Sequence, residues 1–131
     1  MRDPTQKDDE QVLHFIMQEM DSVPELEALL LVWESRPNVW KAADLAKRLY
    51  ILPDQAEALL SDLSRKGLLA VVSGESHCYR YEARFLEQDQ LMARTEAVYR
   101  REIVRISTMI HSKPSSAVRD FARAFRFTKE K

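Results

Sequence analysis

A mainly α fold carrying one small β-hairpin is what this sequence predicts, and three observations predict it. The 131 residues include only two glycines, with abundant Ala, Leu, Glu and Arg, a composition that favours helix. Apolar residues recur at three- and four-residue spacing through most of the chain, the period of helices with one buried face. Between Leu68 and Ala83 the pattern changes to two short strand-like runs around Ser73-Gly74-Glu75-Ser76-His77, which reads as a hairpin. Three short helices ahead of that hairpin complete the order of a winged helix-turn-helix with a two-stranded β-wing. Helical extensions flank it at both termini.

The chain divides accordingly into an N-terminal extension (1–21), a winged core (22–83) and a C-terminal part (84–131). Residues 1–9 are polar and include Pro4, and read as a frayed end. From Glu10 to Met20, Leu13, Ile16, Met17 and Met20 fall at i, i+3, i+4, i+7, the mark of an amphipathic helix. Ser22-Val-Pro-Glu25 is a capping-box pattern with proline in the first turn. It opens a helix over Ser22–Ser35 that buries Leu26, Leu29, Leu30 and Trp33. Val39-Trp40 is expected as a brief strand pairing with the hairpin. A second helix spans Lys41–Tyr50. A third spans Pro53–Lys66, burying Ala56, Leu59, Leu60 and Leu63, and Gly67 caps it in the left-handed conformation. The hairpin is Leu68–Val72 and Cys78–Ala83.

Beyond it, Met92, Tyr99, Ile103, Ile106 and Ile110 form a stripe predicting one helix from Phe85 to His111. At 1.5 Å per residue it would be about 40 Å long. That exceeds what a small winged core covers, so part of the stripe is expected to meet an outside partner, with Met92, Tyr99, Ile103, Ile106 and Ile110 as a dimer interface; a helix folded back on the chain's own core stays open as the alternative. Lys113-Pro114-Ser115-Ser116 interrupts the helix. A final helix carries Val118, Phe121, Ala122 and Phe125 on one face and Arg119, Arg123 and Arg126 on another.

Charge is nearly balanced overall but unevenly placed. Residues 1–35 hold two bases against nine acids, and residues 84–131 hold eleven bases against six acids. An acidic front and a basic rear attract each other, within one molecule or across a dimer. The densest basic feature is Arg100, Arg101, Arg105, Arg119, Arg123 and Arg126. It reads as a solvated face, as a partner for the acidic N-terminal helix, or as a site for an acidic partner or nucleic acid.

The chemistry of enzymes finds no foothold here. The sequence has no GxSxG, P-loop, GxGxxG or HExxH pattern, and the expectation is a protein that is not an enzyme and needs no cofactor. His14, His77 and His111 lack metal-ligand spacing, and Cys78 has no CxxC partner, so no metal site is expected. Cys78, alternating with Tyr79 and Tyr81, reads as a half-buried strand residue rather than a redox thiol. No apolar run approaches 18 residues, and the setting expected is cytoplasmic, without membrane attachment. Trp33, Trp40, Tyr50, Tyr79 and Tyr81 read either as core or as the lining of an effector pocket.

Three segments carry a resemblance. Pro24-Glu-Leu-Glu-Ala-Leu-Leu-Leu, Val39-Trp-Lys-Ala-Ala-Asp-Leu-Ala and Glu57-Ala-Leu-Leu-Ser-Asp-Leu-Ser-Arg-Lys-Gly-Leu-Leu resemble the core of MarR/PadR-like winged-helix transcription regulators, over about half of the chain. The resemblance implies a homodimer that binds duplex DNA, with the third helix in the major groove and the wing, Ser73 to Arg80, on the backbone or minor groove. Carried onto this chain, the groove-facing positions fall near Gln55, Ala58, Ser61, Asp62 and Arg65. The DNA-binding set is then Lys41, Lys47, Arg48, Gln55, Ser61, Arg65, Lys66, His77 and Arg80. Asp54, Glu57 and Asp62 on the third helix would face phosphates unfavourably. They give the alternative its footing: a winged-helix module that binds another protein and not DNA.

Overall fold

The computed structural model describes residues 4–72 and 77–113. Helix α1 (Pro4–Glu19) starts earlier than the polar composition suggested, because Pro4 stands at its first position, where a missing N–H costs nothing. Its buried face is Val12, Phe15 and Ile16, continued by Met20 just past its end. Leu13 and Met17, expected inside, lie at its half-buried edge, since α1 packs against two helices that follow the wing rather than against one.

Helix α2 (Val23–Glu34) is the centre of the molecule. Ser22 Oγ accepts the Glu25 amide at 3.2 Å, and Glu25 Oε1 accepts the Asp21 amide at 2.9 Å. These bonds fix where the helix begins. Leu26, Ala28, Leu29, Leu30, Val32 and Trp33 are all buried, so α2 is apolar around most of its circumference, as a helix surrounded by others must be.

Strand β1 (Trp40–Lys41) leads into α3 (Ala42–Leu49), and α4 (Pro53–Arg65) follows a turn in which Tyr50 takes a left-handed conformation, φ 58° and ψ 45°. Strands β2 (Leu69–Val71) and β3 (Cys78–Tyr81) form the wing. The sheet is antiparallel with order β1-β3-β2, pairing Trp40 with Tyr79 and Val71 with Tyr79 on the two sides of β3. Residues 22–81 are therefore a winged helix-turn-helix, with every helix boundary within one residue of expectation. Gly67, at φ +79°, ends α4. An added Cβ would lie 2.9 Å from Arg84 Cδ, and the Arg84 guanidinium donates to the Lys66 carbonyl at 3.0 Å. Glycine is needed there for both backbone sign and space.

The helix expected from Phe85 to His111 is two helices. α5 (Gln88–Arg101) and α6 (Ile103–His111) meet at Glu102, whose φ −129° and ψ 48° leave the helical region. Glu102 accepts from Arg101 at 3.3 Å and from Arg105 at 3.0 Å across the break. The bend returns α6 to α1 and α2. Met92, Tyr99, Ile106 and Ile110 are buried in this chain's own core, so of the two alternatives the fold-back holds at these four positions and the dimer-interface assignment does not. Of that stripe only Ile103 is left outward, 46 % exposed, beside the exposed Val104. The helix expected after Lys113, with Arg119, Arg123 and Arg126, lies outside the described residues.

The acidic front meets the basic rear inside one molecule. Arg101 reaches Asp9 at 2.7 Å, Arg100 reaches Glu34 at 3.4 Å and Arg84 reaches Glu19 at 3.5 Å. Exposed pairs of this kind contribute about 0–1 kcal/mol each; they link α5 to α1 and to α2, and the end of α1 to the segment before α5.

Candidate nucleic-acid interface

Helix α3 is held to α4 by Leu45 and Ala46 on one side and Ala56, Leu60 and Leu63 on the other. That packing turns the opposite side of both helices to solvent. On α3 the exposed residues are Ala43, Asp44, Lys47 and Arg48, with Lys41 at its N-cap. Lys47 and Arg48 occupy the last turn, where they also complement the helix dipole. Among the described residues, Lys41, Lys47 and Arg48 make no ion pair. Each is free to meet a phosphate.

The remaining expected DNA contacts are largely engaged within the protein. Gln55 Oε1 accepts the Leu52 amide at 3.0 Å, so this side chain caps α4. Ser61 is half-buried. Arg65 is exposed but paired with Asp62, one turn back on the same helix. Arg80 on β3 lies 3.7 Å from Glu82.

Lys66 is removed from the interface altogether, a correction to its assignment as a DNA contact. Its ammonium is 2.7 Å from Glu25 Oε1 and 3.1 Å from Asp21 Oδ2, and it also donates to the Glu19 carbonyl. The Glu25 side chain is only 2 % exposed. A carboxylate that deep needs a cation, and Lys66 supplies it while tying the end of α4 to the α1–α2 turn.

Glu57 has a comparable role, and it does not present its charge to a groove. Its Oε1 accepts from the Tyr79 hydroxyl at 2.8 Å and lies 3.1 Å from His77 Nδ1. α4 is thereby tied to the wing. Burial first, and the Glu57 carboxylate second, push the Tyr79 hydroxyl up to about 12. His77 itself is exposed, with a left-handed φ of 67°. The wing tip, Ser73 to Ser76, lies outside the described residues.

The five aromatic residues do not gather into a pocket. Trp33, Trp40 and Tyr79 are buried in the core, whereas Tyr50 is 94 % exposed. The Trp40 indole donates to Ser35 Oγ at 2.8 Å, and the Arg36 guanidinium lies over Trp33, 4.6 Å from the ring centre. Cys78 is buried in β3. Among the described residues, no group of three or more His, Cys, Asp or Glu could hold a metal ion, and no helix is long and apolar enough to cross a membrane.

Sequence reasoning missed a feature of this face. Tyr50 and Leu52 (66 % exposed) project from the α3–α4 turn. Beside them a cavity of about 300 Å³ is lined by Ser22, Pro24, Ile51, Gln55, Ala58 and Leu59. The signal available was Tyr50-Ile51-Leu52 itself, three apolar residues in a turn where polar ones are usual.

No family model and no curated protein matches the chain. Among solved structures it is similar to a MarR family protein from Bacillus stearothermophilus, with a TM-score of 0.46 and 17 % identity over 95 % of this chain and 84 % of that one.

Proposed function

We propose that this protein is a winged-helix transcription regulator that binds duplex DNA through α3 and α4, as a homodimer. The observation that carries the reading is the division of charge on the helix-turn-helix. Glu57, one of three acids on α4, is drawn into bonds with Tyr79 and His77. Lys41, Lys47 and Arg48 stand exposed, with no ion pair among the described residues. Phosphate contacts supply most of the affinity of such proteins, and a dimer doubles these three cations. Ala58, Ser61 and Arg65 then lie along the outward side of α4, where base edges are read.

The test is fluorescence anisotropy of a labelled duplex titrated with protein at low and then moderate salt. Binding that weakens steeply with salt, and whose slope flattens in Lys47→Ala/Arg48→Ala, supports the reading. No binding at low salt by folded protein would sink it. That outcome favours the second reading, an interaction module, whose supporting observation is the exposed Tyr50 and Leu52 beside Asp54.

A further inference from the structure

We propose that Gln55 makes this protein select guanine in the major groove, because its side-chain amide meets a base edge with donors alone. The inference rests on the reading of α4 as the helix that enters duplex DNA, and it adds which base that helix prefers. In a helix-turn-helix the first residues of the recognition helix reach the base edges. On α4 these are Pro53, Asp54 and Gln55. Proline brings no N–H. Asp54 is exposed and in no ion pair among the described residues, but a carboxylate only accepts. Gln55 is the donor of this turn.

A free glutamine pairs best with adenine, donating to N7 from its amino group and accepting from N6 at its oxygen. Here the oxygen is committed. Gln55 Oε1 accepts the Leu52 amide at 3.0 Å. That contact also fixes which end of the amide is which, since a backbone N–H is met by the oxygen and not by the amino group. Turning the side chain to free Oε1 would leave the Leu52 N–H without its partner at the start of α4. What remains to this exposed side chain is the Nε2 amino group, which makes no hydrogen bond among the described residues.

The four bases answer an amino group differently. Guanine presents N7 and O6, two acceptors side by side. Thymine presents O4 alone, beside a methyl group. Adenine sets its N6 amino group next to N7, donor against donor, and cytosine presents only a donor. Guanine therefore ranks first and cytosine last. No other side chain on the outward side of α4 has a donor of equal freedom. Ala58 is apolar, Ser61 is half-buried, and Arg65 is paired with Asp62.

The experiment is selection from a randomised duplex pool, run with the full wild-type chain and with Gln55→Glu, each followed by sequencing. Glutamate keeps an oxygen for the Leu52 amide, and so keeps the start of α4, but replaces the amino group with a second acceptor. Its added charge weakens binding to every duplex alike. The readout is therefore the base ratio at each position, which a merely structural role would not move.

The wild-type chain is expected to enrich guanine at one position of each half-site by roughly fivefold or more over the other bases. At that position Gln55→Glu should exchange guanine for cytosine, whose N4 donates. Adenine in the wild-type selection, replaced in the variant, would mean that Oε1 leaves Leu52 on binding, and would overturn the inference. So would identical base ratios for the two proteins: Gln55 then reads no base, while duplex binding and the functional reading stand. If no duplex is enriched by wild-type protein that circular dichroism shows to be folded, the functional reading fails and this inference with it. Should Gln55→Glu not fold, Gln55→Ala serves in its place. Loss of the guanine preference at that one position supports the inference, and its retention overturns it.

Discussion

Lys66 and Lys47 stand at the C-terminal ends of neighbouring helices and meet opposite surroundings. Lys66 closes α4 at 23 % side-chain exposure, against a carboxylate that is 2 % exposed, and belongs to the fold. Lys47 closes α3 in solvent, with no ion pair among the described residues, and is available to a partner. The residue type and its place on the helix are nearly the same. What separates the two is the buried Glu25 on α2. A count of cations along a helix-turn-helix therefore overstates what a nucleic acid meets, and the correct count subtracts every cation already owed to a buried acid.

The sharpest way to break this comparison is Lys66→Ala. It strands Glu25 in the core, and is expected to cost about 3–5 kcal/mol of stability, read as a lower midpoint in urea. Adding Glu25→Gln should recover part of the loss, because the stranded charge goes with it. If Lys66→Ala were as stable as wild type, the contrast with Lys47 would collapse.

Gly67→Ala comes next. The φ of +79° and the close Arg84 side chain predict a loss of about 1–2 kcal/mol. Pairing it with Arg84→Ala should relieve the steric clash and leave the backbone cost.

Tyr79→Phe removes the hydroxyl that Glu57 accepts, with an expected loss of about 1 kcal/mol, and it bears on pH. Tyr79 in the folded protein is pushed up to about 12, above the usual tyrosine value near 10. Between those values the unfolded chain releases its proton first. The contribution is thus complete below about pH 10 and lost as pH rises towards 12. Tyr99, raised by burial and by its bond to Glu27, acts in the same direction. Midpoints measured from pH 8 to 12 should fall through this window, less steeply in Tyr79→Phe.

The smallest expected effect on stability is at Lys47→Ala/Arg48→Ala, within about 0.5 kcal/mol of wild type. Its readout is elsewhere: for every phosphate that the variant no longer neutralises, the salt slope of duplex binding should flatten by about 0.9. A large stability loss here would mean these side chains also belong to the fold.

The winged core was legible because its boundaries are local signals. Ser22 with Glu25, Pro53 at the start of α4 and Gly67 at its end act within one turn of themselves. The break at Glu102 was not legible. Met92, Tyr99, Ile106 and Ile110 keep helical spacing across it, and periodicity alone cannot register a bend that leaves the same residues buried. Two β-branched residues directly after it, Ile103-Val104, were the available hint. On the candidate interface, exposure was legible for some side chains and not for others. Lys41, Lys47 and Arg48 are exposed, as their positions on an amphipathic α3 imply. Lys66 misleads because its partner Glu25 is 41 residues away and is itself read as a cap of α2.

The attachment of α1 bears on the order in which the chain can assemble. Its partners are α5 and α6, and its Asp9 meets Arg101 across 92 residues of sequence. The helix-turn-helix closes over short loops, but Val12, Phe15 and Ile16 lack the cover of α5 and α6 until those helices have been made. During synthesis α1 therefore emerges well ahead of the two helices it packs against. Contacts of such long separation slow folding, and an uncovered apolar stripe on a nascent chain invites association with other chains.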